Sequence, residues 1–217
     1  MDFVPYSGET DASPGIPVEF VVLHYTAETL QDTLRIFSDP DGEAGAHLLI
    51  SRTGVIHEIT PCWNGRTFSA PHAGRSRWDD GEKVWKMFND FSIGIEIVNW
   101  NGNHFPFTTE QYQALGLALR HLRGLYPALD DPARIVGHEQ IAGWRGKVDP
   151  GALFDWQRLF EDVYPDREAP DRTPACPPSL LSRLEEVALG DPRNREDRAR
   201  FWRAVSYFLE KSSETER

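Results

Sequence analysis

Two short runs of almost unbroken apolar, largely β-branched residues, 18–23 (VEFVVL) and 92–99 (SIGIEIVN), constrain the fold of this chain most tightly. A strand with one wet face alternates apolar and polar residues; runs like these have no wet face and are buried on both sides. Such strands belong to sheets covered by helices, and the intervening sequence supplies the helices. Residues 28–37 place Leu30, Leu34 and Phe37 at helical spacing, Thr26 stands where an N-cap belongs, and Asp39-Pro40-Asp41-Gly42 stops the run. Residues 108–111 (TTEQ) open a longer helix with a capping-box pattern, and Tyr112, Leu115, Leu119, Leu122 and Leu125 or Tyr126 form its apolar stripe.

Shorter elements fill the frame. Segments 47–51 and 55–60 flank Arg52-Thr53-Gly54 and predict a β-hairpin. A short strand is expected over 134–137, and a helix after Phe154. Residues 61–90 show no period and predict a long loop, the kind of connection that carries function. Strands alternating with helices predict an α/β domain over residues 18–164, preceded by an irregular lead-in, 1–17. Beyond it, 165–178 (PDREAPDRTPACPP) reads as a Pro-rich linker, and 179–217 as a helical C-terminal extension with amphipathic helices near 178–189 and 195–211.

Charge and targeting signals narrow the function. The net charge is −11 and no dense Lys/Arg run occurs, which argues against a nucleic-acid partner and gives no pull toward anionic membranes. No stretch approaches the roughly 18–20 apolar residues of a membrane span, and the N-terminal residues lack a signal-peptide pattern, so a cytoplasmic protein is expected. The two cysteines, Cys62 and Cys176, form no disulfide framework and read as free thiols.

The chemistry-bearing residues sit at strand ends. His24 closes the first buried strand, His138 closes the strand at 134–137, and Asp149 follows eleven residues later in Lys147-Val148-Asp149-Pro150-Gly151. Ligand sites of open α/β sheets gather at the carboxyl ends of strands. Two imidazoles and a carboxylate there leave a fourth position open for water, the pattern of a catalytic zinc site, although a strand-end histidine also serves structurally. Glu96 interrupts a buried strand, on the face opposite Ile93, Ile95 and Ile97. It is either salt-bridged or a desolvated carboxylate poised as a general base. Lys147 is either a solvated loop lysine or a cation for a developing oxyanion. His47, His57, His104 and His121 read as surface or core residues.

The blocks VVLHYTA, GAHLLISRTGVIHEI, PHAGRSRW, NDFSIGIEIVN and GHEQIAGWRGKVDPGALFDWQ, in that order, resemble the AmpD-type N-acetylmuramoyl-L-alanine amidases, relatives of the phage lysozyme-type amidases and the peptidoglycan recognition proteins. The resemblance covers about residues 18–160. It implies a central mixed β-sheet flanked by helices, and zinc held by His24, His138 and Asp149. It places the family's catalytic glutamate on Glu96 and its transition-state lysine on Lys147, with His72 lining the groove against glycan or peptide. The implied reaction is zinc-dependent hydrolysis of the bond between N-acetylmuramic acid and L-alanine, in peptidoglycan or its fragments. A non-catalytic peptidoglycan-binding module and an amidase of intact wall are the competing readings. The chain departs from the family's ligand loop at Gln140, Gly143 and an extra Gly146, which leaves the path of the loop and the placement of Lys147 open.

Overall fold

A computed structural model of the chain describes residues 2–8, 15–39, 42–103 and 105–172. His104, Cys176 and the helices expected near 178–189 and 195–211 lie outside the described residues.

In chain order the strands are β1 (Phe3–Val4), β2 (Phe20–Tyr25), β3 (Leu48–Ile50), β4 (Ile56–Glu58), β5 (Arg77–Asp79), β6 (Val84–Lys86), β7 (Ser92–Ile97) and β8 (Ile135–Gly137). The α-helices are α1 (Leu30–Phe37), α2 (Thr109–Leu125), α3 (His138–Ala142) and α4 (Trp156–Val163). Six strands form one mixed sheet in the order β1-β4-β3-β7-β2-β8, and β5 and β6 form a separate hairpin. Within the large sheet β2, β7 and β8 run parallel, β3 joins β7 in the same sense, and only the β3–β4 hairpin is antiparallel.

The two apolar runs become the central neighbours β7 and β2, and their side chains alternate between two cores. Val21, Leu23, Tyr25, Ile93, Ile95 and Ile97 pack in the larger core, against Leu115, Ala118, Leu119 and Leu122 of α2 and Leu159 and Phe160 of α4. Phe20 and Val22 turn to the other face, where Phe88, Val136 and Ile141 meet them in a smaller core. Each buried aliphatic side chain of this kind contributes about 1.5–3 kcal/mol. His24 and Glu96 belong to the second face, at the edge of the smaller core, where the sheet gives way to a cleft.

Helix α2 begins as the capping box dictates: Gln111 N–H donates to Thr108 Oγ1 (3.1 Å) while Thr108 N–H donates to Gln111 Oε1 (3.0 Å). The Gln111 amide also donates to Val98 O at 2.7 Å, tying the helix to the end of β7. Helix α1 is capped by Thr29, whose Oγ1 accepts from Asp32 N (3.0 Å), and not by Thr26. The Thr26 hydroxyl is committed to the strand end, where it donates to Glu28 O at 2.9 Å.

Three further segments differ from expectation. The lead-in is not wholly irregular: Phe3–Val4 pairs in parallel with β4, and the Phe3 ring lies 4.6 Å from Trp63. The stretch 61–90 contains the β5–β6 hairpin, with Trp78 opposite Trp85 and Asp80 Oδ1 accepting from Lys83 N (2.7 Å) in the turn. The start of the expected linker packs on the domain, because Arg172 is buried and donates to Ile135 O at 3.0 Å and Ala133 O at 2.9 Å. Among the described residues no helix is long and apolar enough to cross a membrane.

Candidate metal centre and catalytic cleft

Parallel pairing of β2 with β8 sets Leu23 beside Gly137, so the next residue of each strand, His24 and His138, emerges at the same carboxyl edge. His138 is also the first residue of α3, which turns away from the strand at once. The segment after α3 returns Asp149 to this edge. Glu139 N–H donates to Asp149 O (2.9 Å), and a turn at 101–103 clasps the loop through Leu153 N–H to Gly102 O (2.9 Å) and Ala152 N–H to Asn103 Oδ1 (3.0 Å). Gly151 makes the clasp possible: its φ is +93°, and a Cβ there would lie 2.5 Å from the Gly102 carbonyl carbon. Gly146 has φ +96° and closes the turn Gly143–Arg145 in a left-handed conformation.

Three ligand-type atoms converge as a result. His24 Nδ1 and His138 Nδ1 are 3.0 Å apart, and Asp149 Oδ2 lies 2.9 Å from the first and 3.0 Å from the second. All three side chains are buried. Burial, then the neighbouring His138, lowers the His24 imidazole to about 4 against the pull of Asp149. The cost of burying the Asp149 carboxyl is outweighed by His138 and His24, which hold it well below the usual carboxylate range. Neutral imidazole and ionised carboxylate are the ligand forms zinc requires. Among the described residues this is the group of histidine and acid side chains arranged to hold a metal ion. It offers three protein donors and an open side toward the cleft, the arrangement of catalytic rather than structural zinc sites.

The outer nitrogens of both imidazoles are engaged. His24 Nε2 lies 3.1 Å from His72 Nδ1, and His138 Nε2 lies 3.3 Å from both Ala73 O and Arg145 Nη2. His72 Nε2 in turn meets Ser92 Oγ at 3.2 Å.

Glu96 is the cross-strand partner of His24. Its Oε2 is enclosed without a hydrogen-bond partner, and burial, reinforced by Asp149 and opposed by Lys147, pushes its carboxyl up to about 8. Lys147 and Arg145 line the same cleft of about 430 Å³, together with His24, His72, Glu96, His138 and Asp149. The structure thus brings every sequence-derived site residue to one place. Sequence reasoning missed the layer behind it. Ser92, the Ala73 carbonyl and Arg145, which donates to Ala73 O (2.7 Å) and Arg75 O (2.7 Å), carry no residue-type signal that singles them out. The buried Glu139, raised by desolvation to about 8, was likewise not anticipated.

The other described histidines, His47, His57 and His121, lie outside this group. His47 is buried, with Nε2 2.8 Å from Phe68 O and Nδ1 accepting from Gly94 N–H at 2.9 Å. His121 stacks on Trp63, ring centres 4.1 Å apart, and His57 is half-buried on β4.

A family profile described as N-acetylmuramoyl-L-alanine amidase (Amidase_2) matches residues 14–152. The 1,6-anhydro-N-acetylmuramyl-L-alanine amidase AmpD of Haemophilus influenzae is 40% identical over 118 residues, 54% of this chain and 58% of that protein. The crystal structure of AmpDh3 from Pseudomonas aeruginosa superposes with a TM-score of 0.59 at 26% identity, covering 94% of this chain and 88% of its own. The amidase AmiD of Escherichia coli, solved with the substrate anhydro-N-acetylmuramic acid-L-Ala-D-γ-Glu-L-Lys, gives a TM-score of 0.55 at 28% identity, covering 85% and 67%. The chain spans a little over half the length of the AmpD relatives it matches.

Proposed function

Since the chain belongs to the N-acetylmuramoyl-L-alanine amidase family, we propose that it hydrolyses the amide between N-acetylmuramic acid, or its 1,6-anhydro form, and L-alanine, with zinc as cofactor. The observation that carries this reading is the buried Glu96 carboxyl, whose Oε2 has no hydrogen-bond partner, across the strands from His24 and in the cleft with the three converging ligand atoms. A metal group alone also suits a structural site; a desolvated carboxylate at its open side suits hydrolysis.

His24, His138 and Asp149 would hold the ion. Zinc bound there supplies Lewis-acid polarisation of a water and of the scissile carbonyl. Glu96 takes the proton as the water's oxygen bonds to the carbonyl carbon. It then returns a proton to the alanine nitrogen as the carbon–nitrogen bond breaks. The pKa near 8 produced by burial and Asp149 falls when cationic charge enters the site, which moves Glu96 toward the ionised form needed for the first step. Lys147, in the same cleft, places a positive charge near the developing oxyanion. Soluble anhydro-muropeptides are the substrate favoured here, on the strength of the ligand in the AmiD complex.

Glu96→Gln tests the assignment. The variant should retain stoichiometric zinc while kcat falls by about 10²–10⁴, the usual worth of a general base. Wild-type turnover from a zinc-loaded Glu96→Gln protein removes Glu96 from this role.

A further inference from the structure

We propose that His72 is a positioning residue of the metal centre: its ring fixes the tautomer of His24. His24 then presents a bare Nδ1 lone pair to the ion. The inference rests on the zinc reading above and concerns residues that do not touch the ion.

The argument starts at Ser92. Its hydroxyl has one hydrogen, and that hydrogen is committed to Phe88 O at 2.5 Å. Toward His72 Nε2, 3.2 Å away, Ser92 Oγ therefore accepts, and Nε2 carries the hydrogen. A neutral imidazole protonated at Nε2 has a bare Nδ1. His72 Nδ1 lies 3.1 Å from His24 Nε2, so the His24 nitrogen donates and its Nδ1 is left bare. That bare atom is the one facing His138 Nδ1 and Asp149 Oδ2. On the other ligand two groups meet His138 Nε2 at 3.3 Å, the accepting Ala73 carbonyl and the donating Arg145 Nη2, and they call for opposite tautomers, so the inference is confined to His24.

The segment that carries His72 is braced independently of the metal. Ala73 N–H donates to Asn89 Oδ1 (2.7 Å), and Arg145 Nη2 donates to Ala73 O (2.7 Å). The His72 ring lies against the backbone of β7 at Gly94, where an added Cβ would stand 2.4 Å from His72 Cγ. His47, itself bonded at both nitrogens, packs edge-on against the ring with centres 5.6 Å apart. With His72 Nδ1 bonded to His24 and Nε2 bonded to Ser92, the ring has both polar atoms committed inward, although it lies in the wall of the cleft. A role in substrate contact would require breaking one of these bonds.

The test measures zinc affinity of the full chain by competition with a chromophoric chelator, in wild type, His72→Ala, His72→Asn and Ser92→Ala. Loss of such an outer partner typically weakens a metal site by about 10–100-fold. His72→Ala should show a loss of that size. His72→Asn, whose amide oxygen can accept from His24 Nε2, should recover most of it, and Ser92→Ala should fall between. Cobalt-substituted His72→Ala should show a shifted visible spectrum, and at saturating zinc the defect should appear in kcat rather than KM. Unchanged affinity in His72→Ala with a raised KM overturns the proposal and assigns the ring to substrate. If His72→Ala does not fold, Ser92→Ala decides on the same criterion, since its hydroxyl lies outside the cleft. Wild-type protein that binds no zinc is a different failure and removes the zinc reading itself.

Discussion

At the scale of single residues, the face of the sheet that holds the site is defined by buried groups kept in one protonation state. His47 shows this away from the ligands. Burial lowers its imidazole from 6.5 to about 4, against the weaker upward effects of the Phe68 carbonyl and Glu58. At this position the folded chain thus binds fewer protons than the unfolded chain between about pH 4 and 6.5, and the contribution of His47 to stability rises with pH across that window. Above 6.5 the contribution is complete; on acidification it is lost progressively, amounting to about 3 kcal/mol by pH 4. The check is a histidine-labelled NMR titration of metal-free protein. The His47 ring signals should stay at their neutral positions down to about pH 5; titration near 6.5 would refute the claim.

At the scale of elements, β7 is the part on which the site depends. Ile93, Ile95 and Ile97 anchor one face in the larger core. The other face is stepped: Ser92 holds His72, Gly94 leaves room for the ring, and Glu96 reaches the cleft. Gly94→Ala should therefore act as a displacement of His72. We expect destabilisation of about 1–3 kcal/mol, as for overpacking in general, together with weaker zinc binding. Chemical denaturation and metal competition on the same samples measure both, and wild-type values for the two would show that the ring has room to move.

The elements also explain what was legible in advance. The strands β2 and β7 stand out because burial on both faces leaves unbroken apolar runs, and the capping box at Thr108 announces α2 on its own. Two- and three-residue strands such as β1, β5 and β6 are too short to carry a period and are set by their pairing partners. Thr26 and Thr29 are equivalent as caps until the strand end claims the Thr26 hydroxyl. His24 and His138 are conspicuous as histidines at the ends of strands, Glu96 as an acid inside a buried run, and Asp149 as a third ligand type in the loop that follows His138. The groups behind them, a hydroxyl on Ser92 and a backbone carbonyl on Ala73, are ordinary until the fold brings them near.

At the scale of the whole molecule, parallel strands sandwiched between two cores deliver their carboxyl ends to one cleft, and the loop after α3 adds Asp149, Lys147 and Arg145. A chain of net charge −11 thus concentrates two cations beside an ionised ligand and a desolvated acid. That distribution suits acyl transfer to water better than binding alone. The most direct test is to incubate the zinc-loaded chain with soluble anhydro-muropeptides and, separately, with intact sacculi, and to identify the products by mass spectrometry. The account predicts release of stem peptide with a new L-alanine amino terminus from the soluble fragments, abolished by chelation and restored by zinc. Stoichiometric zinc with neither substrate cleaved would contradict it.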